Sequence, residues 1–347
     1  MEASRGFFLS SVAAAVAAGA MPAGAQTLEP VSVGILRVIT DAPLFIAQSK
    51  GYFHDAGLNV TLTRFNSAAF MIAPMGTGQL DVGAGAPTAG LYNAVARGID
   101  VKIVANKAID SRGYGFDKVI VRKALIDSGK YKKPADLKGM NFGQPAKGST
   151  VCVQAAEFLE TGGLDFMTDV KLVFIGFPDQ VAAMQNGAID ATVAPEPWPT
   201  IMENKGVGKV VATDAQFYPN EEVADILYSS VFIKQRPEVA QKFMVAYVRA
   251  LRYYYEALQG GHFTGKNADE LVTILAKGLE LSPDLLHQVT PNDVNPDGKV
   301  NVQSLEHDYA TFTKFGYIIK PVQATSLVDM KFVDAAVKQL GPYKTGS

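Results

Sequence analysis

The chain repeats a turn-and-strand pattern at a nearly constant interval, and that echo constrains its fold more than any other feature. Thr77-Gly78-Gln79-Leu80-Asp81-Val82 returns as Asn186-Gly187-Ala188-Ile189-Asp190-Ala191, with Asp81 and Asp190 standing 109 residues apart. Gly98-Ile99-Asp100-Val101-Lys102-Ile103-Val104-Ala105 returns as Gly206-Val207-Gly208-Lys209-Val210-Val211-Ala212. Each copy reads as helix, glycine turn and buried strand. Each also opens on an apolar strand 50 residues before its aspartate, near Val31–Leu36 and near Met140–Phe142. Strands alternate with helices through both copies, the pattern of a mainly parallel sheet covered on both faces. Two similar α/β lobes are expected: residues 28–114 and 236–347 in lobe one, residues 115–235 in lobe two. Two apolar β-like segments, Phe116–Arg122 and Ile226–Lys234, are the expected crossovers, and two connections side by side make a hinge. Parallel sheets bind ligands beyond the carboxyl ends of their strands, so two facing lobes would enclose one ligand between them.

Length supports this division, because 347 residues exceed the size at which a single core stops growing. The 32 basic and 34 acidic residues give a net charge of −2 with no basic block, which argues against a nucleic-acid partner. Arg5, the apolar stretch Phe7–Ala20 and the small residues Ala23-Gly24-Ala25 read as an export signal over residues 1–25, cleaved before Gln26. Export by that signal places the mature chain in the periplasm. Cys152 is the one cysteine, so no internal disulfide can form, and its neighbours Val151, Ala155, Phe158 and Leu159 mark it as a buried apolar thiol.

Catalytic and metal signatures are missing. His54, His262, His287 and His307 are scattered, with no i, i+4 pair, zinc spacing or nucleophile elbow. The expectation is no catalytic residue, no metal and no cofactor. Three segments come near a motif. Gly143–Thr150 has the glycine spacing of a phosphate loop but puts Ser149 where the lysine belongs. Gly83–Thr88 approaches a dinucleotide fingerprint but has Thr88 for its third glycine. Asp293–Gly298 starts like a calcium loop, yet Ser304 occupies the position of the bidentate glutamate, and an Asx-rich turn is the better reading.

The offset also locates candidate ligand contacts, all at strand carboxyl ends. Thr40 and Asp41 align with Ser149 and Thr150, Ser67 and Ala68 with Gly176 and Phe177, and the Pro87–Ala89 run around Thr88 with Glu196–Trp198. Helix N-termini there favour anions through free N–H groups and the axial dipole. Thr40, Ser149 and Thr150 equally suit helix capping. Trp198 is either a wall for an apolar ligand body or inter-lobe packing, and Glu196 either accepts from an amine or stays on the rim. Arg112, with Tyr114 in the run just before the first crossover, is either a bidentate anion clamp or a solvated surface residue.

Taken in order, Asp41–Ala47, Lys50–Phe53, Ala56–Val60, Gly78–Gly83, Asp136–Gly139, Gly187–Ala191 and Glu196–Trp198 resemble the periplasmic solute-binding proteins of nitrate, sulfonate and taurine importers. The resemblance covers nearly all of the chain after the export signal. It implies the type II periplasmic-binding-protein fold, with two crossover strands as hinge, in a monomer that captures a small anionic solute for an ATP-binding-cassette permease. The expected ligand is a sulfonate or carboxylate, with an aromatic body allowed. A thiamine-pyrimidine precursor synthase shares the superfamily but depends on a Cys-rich motif, from which this chain departs. An enzyme acting on a pyrimidine precursor and a periplasmic sensor module are the alternative readings.

Overall fold

A computed structural model describes Met1 and residues 27–111 and 113–344; the expected export signal and Arg112 fall outside the described residues. Strands β1 (Glu29–Ile35), β2 (Leu58–Arg64), β3 (Val82–Gly85) and β4 (Val101–Asp110) are separated by helices. Then follow β5 (Asp117–Arg122), β6 (Asn141–Gln144), β7 (Lys171–Phe174), β8 (Ala191–Pro195), β9 (Gly208–Thr213) and β10 (Glu221–Ser229). They form two five-stranded sheets with one topology, β2-β1-β3-β10-β4 and β7-β6-β8-β5-β9. In each sheet one strand runs antiparallel to its neighbours, β10 between β3 and β4, and β5 between β8 and β9. Each of those strands begins just after the chain has crossed from the other lobe.

The second crossing corrects an expected boundary. Lobe two was expected to run to residue 235, with Ile226–Lys234 as a connector. The structure instead ladders β10 into the first sheet, so the chain returns to lobe one before Glu221. The reason is physical: all nine residues of Glu221–Ser229 are buried, so its backbone N–H and C=O groups need partners, which a sheet interior supplies on both sides and a free connection would not.

The sequence echo proves to be a duplicated clasp. Ser32 N–H on β1 donates to Asp81 Oδ2 at 2.9 Å, and Asn141 N–H on β6 donates to Asp190 Oδ2 at 3.1 Å. Arg236 grips Asp81 at 3.0 Å, and Arg122 grips Asp190 at 2.6 Å. Asp81 therefore ties β1 to the start of β3, and Asp190 ties β6 to the start of β8, with an arginine closing each corner. Gly187 supports one copy by adopting φ 81° at the helix C-cap, where a side chain would be strained. These corners sit at the amino ends of the strands, opposite the cleft, which leaves the carboxyl ends free.

The last third is helical. Pro237–Glu256 buries Val239, Phe243, Tyr247, Leu251 and Tyr254 against the first sheet, beside helices Ala268–Leu279 and Lys331–Leu340. The Tyr253–Tyr255 run is packing: Tyr254 is buried and donates to the Asn292 carbonyl at 3.0 Å. Helix Val302–Lys314 reaches toward lobe two, where His307 meets Glu157 at 2.9 Å.

Replacing Asp190 by Ala should cost about 1–3 kcal/mol, because it strands the Asn141 N–H and the Arg122 guanidinium in partly buried positions. Urea unfolding measures it. An unchanged midpoint would show that the clasp carries no stability.

Candidate functional site

The carboxyl ends of the two sheets face each other across a cavity of about 60 Å³. Hydroxyls come from both sides: Thr40, Ser67 and Thr88 from lobe one, Ser149 and Thr150 from lobe two. Leu36, Val38, Phe116, Phe177 and Val223 supply apolar wall.

The local chain explains which hydroxyls are already committed. Ser67 caps the turn that follows it by accepting from Ala69 N–H at 3.4 Å, and Thr88 caps helix Ala89–Ala96 by accepting from Leu91 N–H at 3.3 Å. Thr150 precedes helix Val151–Glu160 without capping it. Ser149 Oγ lies 3.6 Å from Cys152 Sγ, and burial pushes that thiol's pKa up, as its apolar surroundings anticipate. Among the described residues Thr40 and Thr150 make no side-chain hydrogen bond, so both hydroxyls can serve a ligand.

The lobes touch at this site through the main chain. Ala89 N–H, in the first turn of a lobe-one helix, donates to the Gly148 carbonyl of lobe two at 2.8 Å. Gly148 holds φ 72°, and a Cβ there would stand 2.8 Å from Ala89 Cβ. Only glycine allows this approach.

Among the described residues one cation lines the cavity, and sequence reasoning missed it. Lys107, on β4, has no solvent exposure and lies 2.6 Å from Asp41 Oδ1, with the Ala84 carbonyl at 3.2 Å. Asp41 in turn accepts the Arg37 and Val38 N–H groups at 2.7 and 3.1 Å through its other oxygen. Asp41 therefore holds the lysine in place behind the lining. The available signal was a lysine directly continuing the apolar strand Ile103-Val104-Ala105, where a buried charge needs a partner.

The fold brings together seven of the expected contacts, Thr40, Ser67, Ala68, Thr88, Ser149, Thr150 and Phe177, and holds others elsewhere. Glu196 is fully buried, paired with Lys118 at 2.5 Å and bound by Thr200 Oγ1 at 2.8 Å. Trp198 opens helix Trp198–Asn204 and packs on the core of the second sheet, outside the lining. Tyr114 borders a separate groove with Thr213, His262 and Thr290. The sequence rule that all strand ends face the cleft fails at Glu196 and Trp198 because the lysine on neighbouring β5 draws the glutamate inward. Asp293–Gly298 forms the expected Asx turn, with Asn295 Oδ1 accepting from Asp297 N–H at 3.0 Å.

No metal spacing is visible in the sequence, yet folding places Asp110, Asp117 and Asp214 so that a carboxylate oxygen of each lies within 4.8 Å of the others. Asp117 also lines the cavity. Burial, opposed by the Gln154 hydrogen bond and reinforced by the Glu196 charge, pushes Asp117 up to about 7. Burial likewise raises Asp110 and Glu221, takes Glu222 to about 7 and Asp308 to about 8.

Comparison with known proteins places the chain. The profile of the NMT1-like family matches residues 24–276. The chain belongs to the NMT1-like family. The bicarbonate-binding protein CmpA of Synechococcus is 23% identical over 250 residues, 67% of this chain and 55% of CmpA. The chain thus spans little more than half of that relative's length. A 4-amino-5-hydroxymethyl-2-methylpyrimidine phosphate synthase of Aspergillus parasiticus is 30% identical over 225 residues, 61% of this chain and 62% of the synthase. Among solved structures, the periplasmic nitrate-binding protein NrtA of Synechocystis superposes with a TM-score of 0.73 at 15% identity, covering 90% of this chain and 89% of NrtA. The alkanesulfonate-binding protein SsuA of Xanthomonas axonopodis pv. citri, bound to MOPS, gives 0.68 at 17% identity over 90% of this chain and all of SsuA. The two lobes expected from the repeats, and the periplasmic-binding-protein fold that the resemblance implied, are what these structures share. No helix among the described residues is long and apolar enough to cross a membrane.

Lys107→Met should cost about 3–5 kcal/mol by leaving Asp41 charged and unpaired in the interior. Adding Asp41→Asn, which keeps an oxygen for the Arg37 and Val38 N–H groups, should recover more than half of the loss in a double-mutant cycle. Additive losses would refute the pairing.

The raised carboxyls give a second expectation. Between about pH 4 and 8 the folded chain holds protons that the unfolded chain has released, so stability falls with rising pH, by about 1.4 kcal/mol per unit for each such proton. Urea midpoints at pH 5, 6.5 and 8 should decline in that order. A profile that rises over this range would contradict the raised values.

Proposed function

We propose that this protein is an extracytoplasmic solute-binding protein of an ATP-binding-cassette import system, capturing a small anion between its lobes. The observation that carries this reading is the cavity itself: hydroxyls from both lobes, helix N-termini and one buried ammonium converge on a space for few atoms. Helix ends and hydroxyls stabilise negative charge without a matching excess of basic side chains. The size argues for a compact head such as an inorganic oxyanion or a short sulfonate or carboxylate, and leaves little room for an aromatic body in this conformation. The relatives' ligands, bicarbonate, nitrate and alkanesulfonate, share that head chemistry.

Capture works through closure. A ligand that touches both lobes binds the closed arrangement better than the open one, and only that difference in affinity can shift the equilibrium. The Ala89–Gly148 bond completes the closed form, which the inner-membrane permease then recognises. An enzyme on the same scaffold is the second reading, favoured by the identity to the pyrimidine phosphate synthase. Against it stand the single, buried Cys152 and the four histidines, none of which lines the cavity.

A thermal-shift screen across nitrate, bicarbonate, methanesulfonate, short carboxylates and pyrimidines tests the function. The true ligand at 100 times its Kd should add about 2.7 kcal/mol, and solution scattering should show a more compact particle with it than without. Conversion of the bound compound to product would decide for the enzyme. Gly148→Ala should weaken binding at least tenfold while leaving the unfolding midpoint of the free chain within about 1 kcal/mol of the parent. Unchanged affinity would remove the main-chain contact from the closing step.

A further inference from the structure

The chain buries four carboxyls where it crosses between the lobes. Asp110 ends β4 and Asp117 begins β5, on either side of the first crossing; Asp214 follows β9 and Glu221 begins β10, on either side of the second. Relative exposures are 0, 2, 0 and 0%. Gln154 Nε2 joins the two crossings by donating to Asp117 Oδ2 at 2.9 Å and to Glu221 Oε2 at 2.8 Å. Asp110 accepts the Phe116 and Asp117 N–H groups, both at 3.2 Å. Among the described residues none of the four carboxyls has a salt-bridge partner.

The charged groups around the set are committed elsewhere. Lys107 on β4 faces Asp41, with Asp225 of β10 also within its field. Lys118 on β5 is held by Glu196 at the end of β8 and by Thr290 Oγ1 at 3.1 Å. Helix Val302–Lys314 contributes Asp308, which accepts from Tyr218 at 2.8 Å, and the Asx turn contributes Asp293 beside Asp110. Apart from the two paired lysines, every titratable neighbour named is an acid or a tyrosine. Like charges this close and this dry cannot all ionise, so the set holds protons near neutral pH. Asp117, pushed up to about 7, is the member placed both in the set and on the cavity wall.

We propose that capture of an anion takes up a proton at Asp117, which then offers a carboxyl O–H to the bound solute where it would otherwise offer a negative charge. This rests on the anion-capture reading above. The physical argument is linkage: a negative charge entering a cavity that Asp117 lines favours the protonated carboxyl, and by reciprocity the protonated carboxyl favours the anion. The proton comes from solvent and no covalent bond to the solute changes. Affinity for anions then falls as pH rises above about 7, approaching tenfold per unit when one proton is linked.

Titration calorimetry of the full mature chain with sodium nitrate and with sodium methanesulfonate tests this, since neither anion takes a proton between pH 5.5 and 8.5. Cationic buffers of different protonation heat, imidazole and bis-Tris, avoid adding a sulfonate competitor. Expected is net proton uptake with at least one probe, a fraction of a proton at pH 7 rising toward one near pH 8.5. Asp117→Asn should abolish that uptake and flatten the pH dependence of Kd. Binding of a probe without proton exchange overturns the coupling and leaves anion capture standing. Proton release overturns it too and marks Asp117 as an acceptor. Binding of neither probe at any pH counts against the small-anion reading, and the coupling falls with it. Should Asp117→Asn fail to fold, the exchange measured on the parent chain decides.

Discussion

The constraint on which this molecule depends is that each sheet is completed by a strand arriving from the other lobe. β5 is inserted between β8 and β9, and β10 between β3 and β4, antiparallel in both cases. Neither sheet can finish its ladder until the chain has crossed, so the two connections are pinned at both ends by backbone hydrogen bonds. Pinning in this way brings the crossings together at the rear of the cleft. The lobes can hinge, yet large relative twist is opposed by the paired connections. The buried acids lie there because the ends of β4, β5, β9 and β10 meet there.

Binding chemistry follows from the same arrangement. With the amino ends of the strands tied by the Asp81 and Asp190 corners, the carboxyl ends and the helix N-termini after them line the space between the lobes. The lining has little net charge, since Lys107 is balanced by Asp41. In the proposed capture role, recognition rests on dipoles and hydroxyls, whose interaction with a solute gains strength as closure removes water.

Much of this was legible in the residues. Two lobes, the matching helix-turn-strand units and seven of the lining residues follow from an echo that a single sequence displays, because tandem copies keep the glycines and apolar strands that their folds require. The glycine turn at Gly187, which ends a helix, was visible for the same reason, as the counterpart of Gly78. The position of β10 was not, since Glu221, Glu222 and Asp225 break up the apolar pattern of its first half and only pairing reveals it as an interior antiparallel strand. Lys107 escaped because the matched segments end at Ala105 and Ala212, so the echo does not reach it. Glu196 and Trp198 misled because strand-end position fixes where a residue starts, whereas a nearby Lys118 or an apolar core decides where its side chain goes. The carboxyl set was invisible for a related reason: its members are spread from Asp110 to Glu221 and meet only when both crossings are built.

The contact between Ala89 and Gly148 is made entirely of peptide groups. In the proposed capture role, side chains around it can drift from one solute preference to another without deleting this bond, because it contains no side-chain atom. Selectivity and outline are thereby separable traits: a lineage built on this scaffold can change its cargo while presenting any docking partner with the same silhouette.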